Sequence, residues 1–276
     1  MVLVVSGNLA LGTSTAALPL THPRIGYENL LRGDDCTIST SSADIDHEGE
    51  SVITGLTWDY WKPTATPAII AFTFDEAKDV DYCGIAAHTL DTTGCAIELQ
   101  YLDSSSPAAW VSLGIVQPQP TNGNGVIMFL FDEVSSNIWR LIITGGTAEP
   151  VLGVVYLGKT LEVERRLYGG HTPITLSKKT TIKPNKSEGG QWLGRSIVRE
   201  GAGTDIALKN LTAAWVRQYF QPFMEAARSY PFFWAWRPGD YPDEIGYVWT
   251  NQDITPSNQG QADLMQVSFS VDGYIE

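Results

Sequence analysis

Between residues 68 and 145 the chain carries six short apolar runs and no helical periodicity, and this restricts the fold more than any other feature. The runs are AIIAFTF (68–74), YCGIAAHTL (82–90), AIELQYLD (96–103), WVSLGIV (110–116), VIMFLFD (126–132) and IWRLIITG (138–145). They are rich in β-branched and aromatic residues and bounded by Asp, Ser, Gly or Pro clusters, which marks them as strands. Their spacing of roughly 10–14 residues predicts a β-sandwich or jelly roll. AIELQYLD alternates, with Ile97, Leu99 and Tyr101 against Glu98 and Gln100, as a strand with one wet face should. VIMFLF and AIIAFTF are apolar at nearly every position, which predicts strands covered on both faces.

Three regions follow. Residues 1–28 show little periodicity and read as an extended arm, available to pair with the last region. Its opening MVLVVSGNLALG is apolar but lacks a basic leader and is broken by Ser6, Gly7 and Asn8, so it reads as mature structure. Residues 29–157 form the sandwich. Residues 158–276 form an α+β unit dominated by sheet. There, strands flank a polar, basic loop (Lys183 to Gly190) whose Pro184-Asn185 step and Gly189-Gly190 pair predict a long turn. LTAAWVRQYFQPFMEAAR (211–228) is the one convincing helix. Thr212 is its N-cap, and Leu211, Trp215, Tyr219, Phe223 and Ala227 form its apolar stripe. Pro222 should kink or restart it. In YPFFWAWRPGDYPDEIGYVW (230–249), Phe232, Trp234 and Trp236 share one face and Ile245, Tyr247 and Trp249 share another. Pairing these faces under the helix predicts a core hairpin. In LMQVSFSVDGY, Met265, Val267, Phe269 and Val271 alternate with polar positions, so one side is buried.

The chain has 276 residues, 18 Lys+Arg and 31 Asp+Glu, for a net charge of −13. This balance argues against general nucleic-acid binding. No apolar run approaches the ~20 residues that a membrane-spanning helix requires. Residues 159–199 nevertheless hold nine Lys/Arg against three Glu. The six basic side chains at Lys178, Lys179, Lys183, Lys186, Arg195 and Arg199 are candidate oligomer contacts, able to dock on an acidic neighbour such as a second copy. A solvated basic hairpin is the other reading. Cys36, Cys83 and Cys95 cannot all pair within one chain and lack metal-site spacing, which points to buried free thiols in a reducing compartment.

No nucleotide, metalloprotease or hydrolase motif is present, so no cofactor, metal site or catalytic residue is assigned. His22, His47, His88 and His171 are scattered, and His88, in mid-strand, reads as a core residue. Asp240, Asp243 and Glu244 lie in a Pro/Gly turn, where solvated carboxylates are the ordinary case. Trp58, Tyr60 and Trp61 in TWDYWKP (57–63) are the candidate ligand-binding residues, since loop aromatics stack on the apolar face of sugars. The alternative is that Trp58 or Trp61 plugs an open end of the sandwich.

In element order and in its aromatic hairpin, the region from LGKTLEVERRLYGGHTPITLSKKTTIKPN to LMQVSFSVDGY resembles tail-tip proteins of long-tailed bacteriophages, among them the distal tail proteins with their tail-tube fold. Residues 29–157 are similar in pattern to galactose-binding-like jelly rolls of the discoidin type, through AFTFDEAKDVDYCGIAAHTL, YLDSSSPAAW and FLFDEVSSNIWRLIITGG. The resemblance implies a virion protein assembled in the host cytoplasm and built into the tail tip. It implies a homo-oligomeric ring, hexameric as is general for tube-fold domains, with tail-tube, tape-measure, hub or fibre proteins as partners. It also implies an outer domain that binds host surface glycans or mounts fibres. Those distal tail proteins usually place the ring domain first, whereas this chain places it second. A free-standing carbohydrate-binding protein is the competing reading.

Overall fold

The computed structural model describes residues 2–6, 9–12, 20–105, 107–117, 123–167, 169–260 and 263–274, the first two stretches as backbone alone. The remaining parts of the N-terminal arm, at 1, 7–8 and 13–19, lie outside the described residues. The protein is mainly β, with two sheets and one main helix.

The first sheet makes a sandwich by folding over on itself. Its frame is a pair of long antiparallel strands, β5 (Ala68–His88) and β8 (Ile127–Gly145). Each absorbs two of the six predicted strands. Both bend at charged, exposed stretches around Asp75–Asp79 and Asp132–Ser135, where their register shifts. The first half of β5 pairs with the second half of β8, flanked by β4 (Cys36–Thr40), β6 (Cys95–Asp103) and β7 (Ala109–Val116). The other halves pair with each other and with β9 (Leu152–Gly158) and the hairpin of β1 (Val2–Ser6) and β2 (Leu9–Gly12). Between the two layers lies a core of Ile70, Phe72, Ile97, Leu99, Leu141 and Ile143 against Cys83, Ile85, Ile127, Phe129, Val155 and Leu157.

The second sheet runs β10 (Leu161–Glu162), β3 (Arg24–Gly26), β13 (Phe232–Ala235), β14 (Ile245–Thr250), β16 (Leu264–Gly273), β12 (Trp192–Thr212), β11 (Lys178–Lys186), with β15 (Ser257–Asn258) beside β16. The arm therefore contributes to both sheets, through β1–β2 to one and β3 to the other. One face of the second sheet packs on the inner sandwich layer, with Phe233, Ala235, Ile245 and Tyr247 against Tyr82, Met128, Leu130 and Tyr156. Its other face takes the helix. The molecule is thus a stack of outer sandwich layer, inner layer, second sheet and helix.

This stacking separates two runs that read alike. VIMFLF lies in the inner layer and is covered on both sides. AIIAFTF lies in the outer layer, so it alternates, with Ile69, Ala71 and Thr73 turned outward and partly or fully exposed. The hairpin register also differs from expectation. Phe233 pairs with Tyr247 and Trp234 with Gly246, so Phe232, Trp234 and Val248 face the helix while Phe233 and Tyr247 face the sandwich. Helix residues 213–227 include a π-helical turn at Val216–Phe220 just before Pro222. Proline has no N–H to donate to the preceding turn, and the wider turn accommodates it. The turn moves the buried stripe to Ala213, Val216, Phe220, Phe223 and Ala227 and leaves Tyr219 exposed. Leu211 belongs to β12 instead. Thr212 caps the helix as predicted, its hydroxyl accepting from the Trp215 N–H at 3.3 Å.

Candidate functional site: the β11–β12 arm and the sandwich end

Strands β11 and β12 form a hairpin that runs beyond the rest of the sheet, because β16 pairs with β12 only from Ala202 onward. The strands continue through Lys186, so the connection is the tight turn Ser187–Gln191, closed by the Ser187 N–H donating to the Gln191 carbonyl at 2.9 Å. The predicted long loop from Lys183 is shorter for that reason. Ile182 lies opposite Ile197, Pro184 opposite Arg195 and Lys186 opposite Trp192, so these six share a face. Thr181 and Arg199, with Lys183 and Ser196, lie on the other. Ile182, Trp192, Leu193, Ile197 and Val198 are all exposed, Trp192 at 69%. This apolar strip escaped the sequence reading, although the alternation in TTIKPN and QWLGRSIV encodes one side of it.

Residues 178–200 carry six basic and two acidic side chains, a charge of +4, which leaves −17 on the rest of the chain. The four lysines and Pro184 lie on β11, the open edge of the sheet. Such residues oppose indiscriminate strand pairing along an edge. Lys178, Lys183, Lys186, Arg195 and Arg199 make no ion pair among the described residues, whereas Lys179 Nζ binds Asp272 Oδ1 at 2.6 Å. That hydrogen bond, helped by Asn251, holds the Asp272 carboxyl below the usual carboxylate range. Lys179 reaches it by lying across Gly203, where a Cβ would come within 2.4 Å of Nζ. Beside them opens a groove of about 310 Å³ lined by Thr181, Arg199, Trp249 and Tyr274.

The three loop aromatics separate. Trp61 is fully buried at the end of the sandwich, its Nε1–H donating to the Ser42 carbonyl at 3.0 Å and its backbone bridging to Leu152. A side chain so enclosed cannot stack on a sugar, and Trp61 is corrected to the plug of the sandwich end. Tyr60 stacks on His47 with centroids 4.2 Å apart, and Trp58 is 74% exposed.

Other candidates resolve into structure. Asp240 pairs with Arg237, and Glu244 accepts from the Trp236 indole, so two of the three turn carboxylates brace the turn they sit in. His88 is buried, with Nε2 2.8 Å from the Gly125 carbonyl and Nδ1 accepting from the Leu90 N–H. These contacts fix the neutral Nε2–H tautomer, and burial pulls its pKa down to about 4. Cys83 and Cys95 are buried free thiols, and Cys36 is half-buried. Among the described residues no group of three His, Cys, Asp or Glu could hold a metal ion, and no helix is long and apolar enough to cross a membrane.

No family model matches the chain, and no curated protein does. Solved structures give distant likenesses over about half of it. A GH29 fucosidase of Ruminococcus gnavus in complex with fucose shares 12% identity over 48% of this chain and 26% of its own, at a TM-score of 0.41. The family 32 carbohydrate-binding module of Clostridium perfringens NanJ, in complex with galactose, shares 13% over 49% of this chain and 98% of its own, at 0.39. A chitosan-binding module from Paenibacillus sp. IK-5 shares 14% over 51% and 99%, at 0.37. The chain thus spans about a quarter of the fucosidase's length, and likenesses this distant assign it no activity.

Proposed function

We propose that this chain is a structural subunit that assembles with copies of itself and displays its sandwich outward. One observation carries the reading: the β11–β12 arm exposes Ile182, Trp192, Leu193, Ile197 and Val198 together with five cations that make no ion pair among the described residues, on a chain whose remainder is strongly acidic. Exposed apolar strips rimmed by charge mark protein interfaces, and the opposite charges of arm and body favour a second copy as the partner. A hairpin that overreaches its own sheet suits head-to-tail contact, which closes into rings when the rotation permits. The setting we propose is the tail tip of a long-tailed bacteriophage, as the sequence resemblance implies, with the ring at the end of the tail tube and the sandwich serving host attachment or fibre mounting. Light scattering on the purified chain, with electron-microscopy class averages, tests this. Rotationally symmetric particles support it, and a monomer at all concentrations sinks it.

A second reading, a free-standing carbohydrate-binding protein, draws on the exposed Trp58 beside the Tyr60–His47 stack at the sandwich end. Binding of glycans by a strictly monomeric chain would favour it.

A further inference from the structure

The bare face of the outer sandwich layer carries a cation held in an unusual way. Arg140 of β8 lays its guanidinium over the Trp110 ring of β7, with Cζ 3.7 Å from the ring centroid. Its Nε and Nη2 both donate to Oε1 of Gln100 on the intervening strand β6, at 2.8 and 2.6 Å. The plane of the fork is therefore fixed by a stack on one side and by two bonds to one neutral oxygen. Glu98 lies on the same face of β6, yet Arg140 makes no ion pair with it or with any other described carboxylate. Nη1 and the second Nη2 hydrogen have no acceptor among the described residues, and Gln100 has spent its oxygen, which leaves its amide N–H groups available.

We infer that Arg140, Gln100 and Trp110 form a binding site for the carboxylate of an acidic saccharide, at a place distinct from the Trp58 loop and independent of the assembly reading. A preset guanidinium fork recognises a carboxylate in two-point fashion, and little side-chain freedom remains to be lost. Arg140 and Gln100 are in mid-sheet, with Ser112, Gln100, Arg140, Ala71 and Ser39 in one row across β7, β6, β8, β5 and β4, and Trp110 lies on β7 at the edge. The strands of Arg140 and Gln100 are flanked on both sides and have no open edge to pair with a peptide backbone, and the free edge of β7 lies beyond Trp110. Recognition must come from side chains on a flat surface, which suits a pyranose ring. The small side chains of Ala71 and Ser39 leave a shelf beside the guanidinium for that ring, and Trp110, 38% exposed, offers apolar area.

The test follows the indole N–H signal of Trp110 by NMR, assigned from Trp110→Phe, while D-glucuronate, N-acetylneuraminate or glucose is added to the full chain. The acidic sugars should shift it saturably, with a Kd of about 1 mM, and glucose should not. Arg140→Gln should weaken the response at least tenfold. Arg140→Lys, which keeps charge but loses the fork, should weaken it less, with both variants melting as the parent does. Trp58→Ala should change nothing. Equal response to glucose, a response retained in Arg140→Gln, or one lost in Trp58→Ala overturns the proposal. So does silence toward both acidic sugars, including the case in which polyglutamate alone shifts the signal.

Discussion

Phe233 occupies the space that Gly84 leaves open between the second sheet and the inner sandwich layer. A Cβ at residue 84 would come within 2.6 Å of the Phe233 ring, which itself packs on Tyr156 and Tyr247 with centroids 5.3 and 5.0 Å away. The ring cannot retreat, because it is wholly buried between two sheets. Gly84→Ala should therefore lower stability by about 1–3 kcal/mol, the ordinary cost of overpacking. Urea melts measure this. Gly84→Ala combined with Phe233→Leu should recover part of the loss that the two single changes sum to, and simple additivity would deny the contact.

Much of this fold was legible because alternation reports burial directly. AIELQYLD and LMQVSFSVDG present the faces their patterns predict. What alternation cannot report is which layer supplies the cover. AIIAFTF and VIMFLF are equally apolar, but only the second lies between two other surfaces. The fusion of four predicted strands into β5 and β8 was hidden by the charged bends, whose composition is that of a loop. Trp61 and Trp58 were indistinguishable in sequence, three residues apart in one aromatic cluster. The backbone bridge from Trp61 to Leu152 separates them, and that is a long-range contact.

Asp81 gives stability a pH dependence of unusual sign. Burial pushes its pKa up to about 7, opposed by the Thr160 N–H at 2.7 Å and the Thr160 hydroxyl, raised by Glu162 and lowered by Arg24. Lys159 lies nearby and is itself influenced by Asp81. In the unfolded chain an Asp titrates near ~3.9. The folded state thus binds the proton more tightly, and the contribution is full below about pH 4 and is lost as pH rises through about 7. The loss should be on the order of 4 kcal/mol. Asp81→Asn, which cannot ionise, should flatten that segment of the stability profile. An unchanged slope between pH 4 and 7 would show that other groups set it.

Trp58 and Trp61 should respond oppositely to truncation. Trp61→Ala removes a fully buried indole and should cost about 3–5 kcal/mol in thermal or urea unfolding. Trp58→Ala removes an exposed one and should change stability by less than about 0.5 kcal/mol. If the sandwich end binds neutral glycans, Trp58→Ala should also abolish their retention on a glycan array. Retention that survives this change would remove Trp58 from the ligand-binding residues.

The arm gives the most direct test of assembly. Ile182 and Ile197 face each other across the hairpin and are 40% and 53% exposed, so neither contributes much to the folded chain alone. Ile182→Ser with Ile197→Ser should leave the melting curve of the isolated subunit within about 0.5 kcal/mol of the parent. If the strip is an interface core, the same pair should weaken association by at least 2 kcal/mol, roughly thirtyfold. Replacing Lys183 and Arg195 by Gln should act differently, slowing association and reducing its salt dependence, because exposed charges steer encounter more than they hold a complex. Sedimentation velocity across a salt series reads both effects. Unaltered oligomers in the Ile182/Ile197 variant would move the interface away from the arm, and the groove of Arg199, Trp249 and Tyr274 at its root would be the next surface to alter.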